Sequence, residues 1–253
     1  MSATDRLESE RLFHDHQARQ RAEYFRRLPG QLFFREADYL DHESWIRPGL
    51  NKLGDVAGKR VLDYGCGHGM AAVVLARRGA QVAAFDLSTD YLAEARLRAA
   101  ANSVTINFVA VDAHDLPFAD ASFDAIWGNA ILHHLDLAIA GREIYRILRP
   151  GGVAVFCEPW GGNPLLAWGR RRLPYPAKGR TRDEEPLRQT DLVQLREIFP
   201  EFELRGFQLF SMLSRIFGKN VLVSGLELCD DWLLRKMPGL AHWCRYMMLV
   251  LRR

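Results

Sequence analysis

Short apolar runs alternate with helical patterns through the middle of the chain. The runs are continuously apolar and rich in β-branched and aromatic residues, as expected for strands buried on both faces. They lie at residues 59–64, 81–86, 105–111, 123–129 and 153–158. Strands that alternate with helices imply a parallel sheet with right-handed crossovers and helices on both faces. The pattern therefore predicts a doubly wound α/β fold.

The segments on either side of this region have a different character. Residues 4–28 predict an amphipathic helix, and residues 36–51 a second one. Residues 159–189 are rich in Pro, Gly and Arg, and a helix at 191–199 and a strand at 202–209 follow. Residues 210–240 look helical, and 246–251 predict a last strand. We therefore expect an N-terminal helical cap (1–57) and a main domain (58–253) with loop or lid insertions at 159–189 and 210–240.

Composition narrows the class of protein. With 253 residues, of which 48% are hydrophobic and 26% charged, the chain suits one compact α/β domain. The net charge of +3 is too small to imply a nucleic-acid partner by itself. The four cysteines form no C-x-x-C pair, which predicts reduced thiols in a cytoplasm and no metal site. No apolar run is long enough to span a bilayer, so we expect no integral membrane segment.

A glycine-rich turn follows the first predicted strand. Asp63 ends the strand, and Gly65, Gly67 and Gly69 follow before a helix. Such glycines allow a tight turn and the approach of a ligand to the backbone, at the carboxyl edge of the sheet. A carboxylate there suits a cationic amino-acid group and would repel a pyrophosphate. A nicotinamide dehydrogenase is disfavoured, because Met70 stands where the dinucleotide fingerprint has its third glycine.

Two further acids follow the next strands. Asp86 ends strand two about 20 residues beyond the first glycine, where an acid can accept both hydroxyls of a ribose. The alternative is an aspartate that starts the helix capped by Ser88, and both roles can hold together. After strand three, the Asp112 carboxylate can accept from an adenine amino group, and the next backbone N–H can address a ring nitrogen.

Taken in order, these motifs resemble the class I S-adenosylmethionine-dependent methyltransferases. The resemblance is greatest to the type 11 group, which includes quinone-biosynthesis C-methyltransferases, and it covers about residues 58–158. The segments that carry it are VLDYGCGHG, FDLS, VDAHDLPFADASFD, ILHHL and ILRPGGVAVF.

The resemblance implies S-adenosylmethionine as cofactor and S-adenosylhomocysteine as product. It also implies a seven-stranded, mostly parallel sheet whose last strand is reversed, a role that the 246–251 run can supply. By motif match, the methionine part of the cofactor would lie on Asp63, Gly65 and Gly67. The ribose would lie on Asp86, and the adenine on Asp112 and Ala113. Asn129 would lie beside the sulfonium, and Cys66 and Leu87 would also contact the cofactor.

The acceptor side is less determined. A general base is needed only if the acceptor must lose a proton. The candidates are His134, ranked first, then His133 and Glu158, with His42 as a further one. The alternatives are that the paired histidines cap the next helix or pack on the cofactor, and that Glu158 orders the loop after it. The basic stretch 170–182 is either a solvated loop or a lid that attracts an anionic acceptor.

The apolar residues at 199–217 favour a hydrophobic acceptor that resembles a polyketide, a lipid or a quinone. Two other functions stay open. One is a non-catalytic protein that binds the same cofactor, and the other is a nucleic-acid methyltransferase. The second is disfavoured because residues 129–132 lack the Asn/Asp-Pro-Pro-aromatic turn of adenine amino-methyltransferases. A small-molecule acceptor is therefore the expected partner, and a homodimer is left open.

Overall fold

A seven-stranded sheet forms the centre of the computed structural model, which describes residues 3–172, 185–213 and 221–253. The strand order is β3-β2-β1-β4-β5-β7-β6. The strands are β1 Arg60–Tyr64, β2 Gln81–Asp86, β3 Asn107–Ala110, β4 Phe123–Asn129, β5 Leu148–Pro159, β6 Glu201–Phe207 and β7 Tyr246–Arg252. The predicted fold class is confirmed, including the reversed last strand: β1 to β5 pair in parallel, and β7 is antiparallel to both β5 and β6.

Nine α-helices lie within the described ranges. They are α1 Ala3–Arg27, α2 Glu36–Leu40, α3 Ile46–Lys52, α4 Met70–Arg77, α5 Thr89–Ala101, α6 Leu137–Ile147, α7 Pro164–Arg172, α8 Gln189–Ile198 and α9 Val221–Lys236. The predicted cap at Ser88 is confirmed, since its hydroxyl accepts from the Tyr91 amide at 3.1 Å at the start of α5. None of the helices that the structure describes combines the length and the apolar character needed to cross a bilayer.

The single helix predicted over residues 36–51 is wrong, because the chain forms the separate helices α2 and α3 there. The reason lies in Pro48, the third residue of α3. In one continuous helix its ring would clash with the carbonyl of the residue four positions earlier, and its nitrogen could not donate. The interruption lets Trp45 precede α3 as a buried side chain.

The predicted bounds of strands three and five also need correction. Strand β3 is shorter than the predicted 105–111, because it lies at the sheet edge and its only partner strand, β2, ends at Asp86 opposite Ala110. Strand β5 is longer than the predicted 153–158. It begins at Leu148, which pairs with Phe123, and the Pro150–Gly152 turn is absorbed as a shift of register before Val153.

Apolar side chains fill a layer on each face of the sheet. One layer lies under α3 and α4 and includes Leu50, Val74 and Trp127, and the other lies under α6 and α8 and includes Ile144 and Leu195. Trp127 on β4 is fully buried. Burying an aromatic side chain of this size contributes more to the core than any single aliphatic one.

Helix α1 lies on α5 mainly through polar contacts. The Ser88 hydroxyl donates to Oδ1 of the buried Asp15 at 2.6 Å. Six residues further along both helices, the Arg21 guanidinium binds both carboxylate oxygens of Glu94, at 2.8 and 3.0 Å. A bidentate ion pair of this kind fixes the orientation of the two side chains as well as their position. The predicted cap at 1–57 therefore includes a helix with a defined register on the main domain.

Gly49 of α3 and Gly225 of α9 offer a matched pair of stability tests. A Cβ at Gly49 would lie 2.7 Å from Cζ3 of Trp127, whereas a Cβ at Gly225 would meet nothing within 4 Å. We expect Gly225→Ala to stabilise the protein by about 0.5–1 kcal/mol through helix propensity. We expect Gly49→Ala to destabilise it by about 1–3 kcal/mol through overpacking. Urea unfolding followed by circular dichroism measures both, and effects of the same sign would contradict the packing described for Trp127.

Candidate functional site

A cavity of about 260 Å³ opens at the carboxyl edge of the parallel strands. Its floor comes from the loops after β1, β2, β3 and β4, and α1 closes the opposite side. This is the edge at which doubly wound sheets bind ligands. The predicted cofactor residues that line it are Gly65, Gly67, Asp86, Leu87, Asp112, Ala113 and Asn129.

The loop after β1 has the geometry that its glycines predict. Gly65, Gly67 and Gly69 all have positive φ, at 68°, 49° and 79°. A Cβ at Gly69 would lie 2.8 Å from Cβ of Ala95, so that glycine lets α4 begin against α5. At Gly67 a Cβ would meet nothing within 4 Å. Gly67 therefore leaves space in the cavity, as expected for a backbone that a ligand approaches.

Asp86 joins this loop to the end of β2. The Gly67 amide donates to its Oδ2 at 2.8 Å, and the Ser88 amide donates to its Oδ1 at 2.9 Å. Burial raises the pKa of this carboxyl, and the same two amides oppose that rise. Each carboxylate oxygen has a second acceptor position. The structure thus shows the predicted helix-start role, and the carboxylate retains acceptor capacity toward the cavity.

Asp63 is more deeply buried than the sequence suggests. It is 2% exposed and does not line the cavity. Its Oδ2 has no hydrogen-bond partner among the described residues, and burial raises the pKa of the carboxyl to about 7. An unsatisfied buried carboxylate of this kind is a fitting counter-charge for a cationic amine. Cys66 is also buried beside the loop without lining the cavity, and burial raises its pKa.

Asp112 is held in a short polar chain. Its Oδ1 accepts from the His114 amide at 3.0 Å and lies 2.7 Å from Nδ1 of His114. Nε2 of that ring accepts from the Asp136 amide at 3.0 Å, and the Asp136 side chain caps α6. This chain ties the loop after β3 to the start of α6 and orients the Asp112 carboxylate at the cavity.

Asn129 ends β4 at the cavity wall. Its Oδ1 accepts from the indole N–H of Trp45 at 3.0 Å, and that indole stacks on Tyr246 with ring centroids 3.7 Å apart. The Asn129 side chain is therefore oriented by Trp45, the residue before α3, and by Tyr246, the first residue of β7. Leu87 and Ala113 line the cavity nearby.

His133 and Glu158 form a buried pair below the cavity. Nδ1 of His133 lies 2.8 Å from Oε2 of Glu158, and Oε1 of Glu158 accepts from the amides of Ile131 and Leu132. Glu158 is 0% exposed, and neither residue lines the cavity. Their arrangement holds the turn after β4. The catalytic role predicted for these two residues stays a prediction.

His134 is the predicted catalytic candidate that does line the cavity. It lies 3.5 Å, from Nδ1 to Oε1, from the buried Glu10 of α1, and its ring centroid is 6.0 Å from that of His14. His42 is exposed and lies outside the cavity lining. Of the four candidates, His134 is therefore the one that lines the cavity.

Several lining residues were not predicted from the sequence. Glu10, His14 and Gln17 come from α1, and their spacing of four and three residues places them on one face of the helix. That spacing was available in the sequence as a polar stripe, but its partner surface was not. His68 and Tyr91 also line the cavity, and burial lowers the pKa of His68 to about 4, so its imidazole is neutral.

Comparison with known proteins gives this site a family. A family model described as "Methyltransferase domain" matches residues 62–156, the stretch that holds the glycine loop and β1 to β5. Residues 62–156 form a methyltransferase domain. The resemblance proposed from the motifs is confirmed for this stretch.

Curated relatives match about half of the chain. A demethylmenaquinone methyltransferase from Beutenbergia cavernae is 41% identical over 121 residues, which cover 46% of this chain and 49% of the relative. A fatty-acid O-methyltransferase from Mycolicibacterium smegmatis is 39% identical over 127 residues, covering 48% of this chain and 45% of that protein. The chain thus spans about half the length of these relatives.

Solved structures extend the likeness in fold to most of the chain. An S-adenosylmethionine-dependent methyltransferase from Mesorhizobium loti superposes with a TM-score of 0.56 at 23% identity, covering 85% of this chain and all of that one. At that identity the likeness concerns the fold. Residues 62–156 therefore lie in a chain that shares the fold of this solved structure over most of its length.

Two other sequence predictions bear on the surroundings of the site. Within the described ranges, no group of three or more His, Cys, Asp or Glu side chains is arranged to hold a metal ion. Most of the basic stretch 170–182 lies outside the described residues, so its proposed role as a lid stays a prediction.

The buried carboxyl of Asp63 leads to a prediction about stability and pH. Its pKa is about 7 in the folded protein, above the ordinary value of 3.8, so the folded state binds the proton more tightly. The resulting stability is complete below about pH 4 and is lost as the pH rises through 7. Asp63→Asn removes the ionisation, and at pH 8 we expect it to be more stable than the parent by as much as about 4 kcal/mol.

Chemical unfolding of the ligand-free protein between pH 4.5 and 8 measures this difference. The exposed Asp115→Asn is the matched control and should leave the pH dependence as it is in the parent. If the free energy of unfolding depended on pH in the same way in Asp63→Asn and the parent, Asp63 would ionise without loss of stability. Its role as a counter-charge would then be ruled out.

Proposed function

We propose that this chain transfers a methyl group from S-adenosylmethionine to a small hydrophobic acceptor. The observation that carries the proposal is the cavity of the methyltransferase domain. An open glycine backbone and the carboxylates of Asp86 and Asp112 line it, and the buried carboxylate of Asp63, whose Oδ2 has no hydrogen-bond partner among the described residues, lies at the end of β1. These features match the three parts of the cofactor: a cationic amino acid, a diol and an adenine ring.

The proposed cofactor contacts follow the order of the strands. Asp63 compensates the charge of the amino group, and Gly65 and Gly67 present their backbone to the methionine part. The free acceptor capacity of Asp86 receives the ribose hydroxyls, with Leu87 beside it. Asp112 and the Ala113 amide address the adenine. Cys66 shapes the loop from its buried side.

The bound cofactor supplies a methyl group on a sulfonium, which is open to in-line attack. The remaining work of the protein is alignment and the exclusion of water. Asn129, held by the Trp45 indole, orients the wall beside the reacting centre. His134 is the proposed catalytic residue, and the His133–Glu158 pair positions the turn that carries it.

The acceptor class rests on the printed activities of relatives and on the apolar character of the C-terminal region. The relatives named above methylate a quinone precursor and a fatty acid. We therefore propose a lipid-like or quinone-like acceptor that is methylated in the cytoplasm. The proposal includes no nucleic-acid partner, and it is compatible with a homodimer. We also propose the division into a helical cap (1–57) and a methyltransferase domain (58–253), with lid insertions at 159–189 and 210–240.

Calorimetry and a product assay test the proposal together. We expect S-adenosylmethionine and S-adenosylhomocysteine to bind and NAD to release no heat. Mass spectrometry should then detect a methylated product with at least one of three matched probes: 4-octylphenol, octanoic acid and octylamine. Absence of nucleoside binding would overturn the proposal. Binding without transfer to any acceptor would favour a non-catalytic role.

Substitution of Asp86 tests the assignment of the ribose. We expect Asp86→Asn to weaken S-adenosylhomocysteine binding by roughly 10–100-fold, because each hydrogen bond to a charged group contributes about 1.5–3 kcal/mol. The control is Asp124→Asn, which removes the same charge at the opposite edge of the sheet, where Asp124 accepts from Arg60 and Arg149. Equal affinities for the two variants, measured by calorimetry, would rule out the ribose role.

A further inference from the structure

Helix α1 places a carboxylate beside the one predicted catalytic histidine that lines the cavity. Glu10 is 7% exposed, and its Oε1 lies 3.5 Å from Nδ1 of His134. Both side chains line the cavity that is proposed to hold the cofactor. Buried carboxylates are rare unless they are paired. The burial of Glu10 therefore constrains how α1 packs over the cavity.

The position of Glu10 is fixed by contacts elsewhere on α1. Asp15 accepts from the Ser88 hydroxyl, Tyr91 donates from its hydroxyl to Gln17 at 2.9 Å, and Arg21 binds Glu94. These contacts set the rotation and register of the helix on α5. The same register turns Glu10, His14 and Gln17 toward the cavity. The approach of Glu10 to His134 is therefore a result of how α1 docks.

A carboxylate at one nitrogen of an imidazole changes what the other nitrogen can do. It holds the proton on Nδ1 and stabilises the imidazolium that forms when Nε2 takes a second proton. The distance of 3.5 Å is somewhat longer than an ordinary hydrogen bond, and catalytic contacts are often long before ligands bind. The pair thus has the parts of a general base with its orienting acid.

We propose that Glu10 of α1 is the positioning residue of a Glu10–His134 pair that removes a proton from the acceptor during methyl transfer. This inference rests on the proposed methyltransferase function and narrows its substrate. The acceptor is a weakly acidic group, a phenol-type hydroxyl or an enolisable carbon, that is still protonated at neutral pH. A carboxylic acid, already ionised there, has no need of the pair.

The step balances as follows for a hydroxyl acceptor. The acceptor oxygen forms a bond to the methyl carbon, and the carbon–sulfur bond breaks with its electron pair going to sulfur. The acceptor proton passes to Nε2 of His134, and the resulting positive charge lies beside the Glu10 carboxylate. A methyl ether, S-adenosylhomocysteine and an imidazolium result, and the imidazolium then releases its proton to solvent.

The position of the proton on the neutral His134 ring tests the pair without any acceptor. The charged or titratable groups around it are Glu10 and His14 on α1, His133 with Glu158 behind it, and Asp86, Asp112, His68 and Tyr91 elsewhere in the cavity lining. Nuclear magnetic resonance of histidine-labelled protein with S-adenosylhomocysteine resolves the rings, and His134→Gln and His14→Gln assign them.

We expect the parent to hold the ring proton of neutral His134 on Nδ1, which faces the Glu10 carboxylate, and Glu10→Gln to move part of that population to Nε2. The matched control is Glu8→Gln on the same helix, whose exposed carboxylate faces Arg11, and it should leave the nitrogen chemical shifts of the His134 ring unchanged. Unchanged nitrogen chemical shifts in a Glu10→Gln variant whose resonances show a folded protein would overturn the pair. Glu10→Ala repeats the measurement with a smaller side chain.

Kinetics with the matched probes tests the chemistry. With 4-octylphenol we expect His134→Ala to lower kcat by roughly 10²–10⁴-fold, with partial rescue by added imidazole. Glu10→Gln should lower the plateau of kcat with a smaller change in KM, because Glu10 acts through His134.

The outcomes separate this inference from the proposed function. Phenol methylation that is equal in the parent, His134→Ala and Glu10→Gln, with nucleoside binding intact, would overturn the pair and leave the methyltransferase proposal standing. Octylamine or octanoic acid as the only methylated probe would overturn the acceptor class. Absence of nucleoside binding would count against the proposed function itself, and the nitrogen chemical shifts of the His134 ring still decide the Glu10 contact.

Discussion

The hydrogen bond from the Gly67 amide to the Asp86 carboxylate joins the two loops on which the whole site depends. A parallel sheet brings the ends of β1 and β2 to one edge but leaves their loops free to diverge. The three positive-φ glycines let the first loop fold back far enough for its amide to reach a carboxylate on the next strand. Asp86 also receives the Ser88 amide, so the same side chain sets where α5 begins. The cavity floor follows from these contacts.

Local sequence was sufficient for this floor because every contact in it lies within a few residues of a strand end. The acid, the glycines and the Ser88 cap have geometric requirements that only certain residue types meet. The same logic located Asp112 and Asn129 at the cavity wall. It did not predict the burial of Asp63 and Cys66, because the degree of burial depends on how α4 packs over the loop, which no short pattern records.

The acceptor side depends on contacts between distant parts of the chain. His133 and His134 are adjacent in sequence, yet one faces Glu158 beneath the turn and the other faces Glu10 above the cavity. Because the two residues are identical, the sequence does not indicate which of them faces the cavity. Helix α1 was predicted as a helix, but its partner surface on α5 depends on salt bridges and hydrogen bonds that form only in the folded chain.

Ser88 links the cavity floor to α1, which closes the opposite side of the cavity. Its hydroxyl accepts from the Tyr91 amide and donates to Asp15, and the residue is fully buried. One oxygen thus both starts α5 and secures α1. Because the hydroxyl has a single proton to give, loss of the Asp15 contact would leave that proton without its acceptor. Detachment of the N-terminal helix would therefore change the hydrogen bonding of the loop after β2, where Ser88 and Asp86 lie.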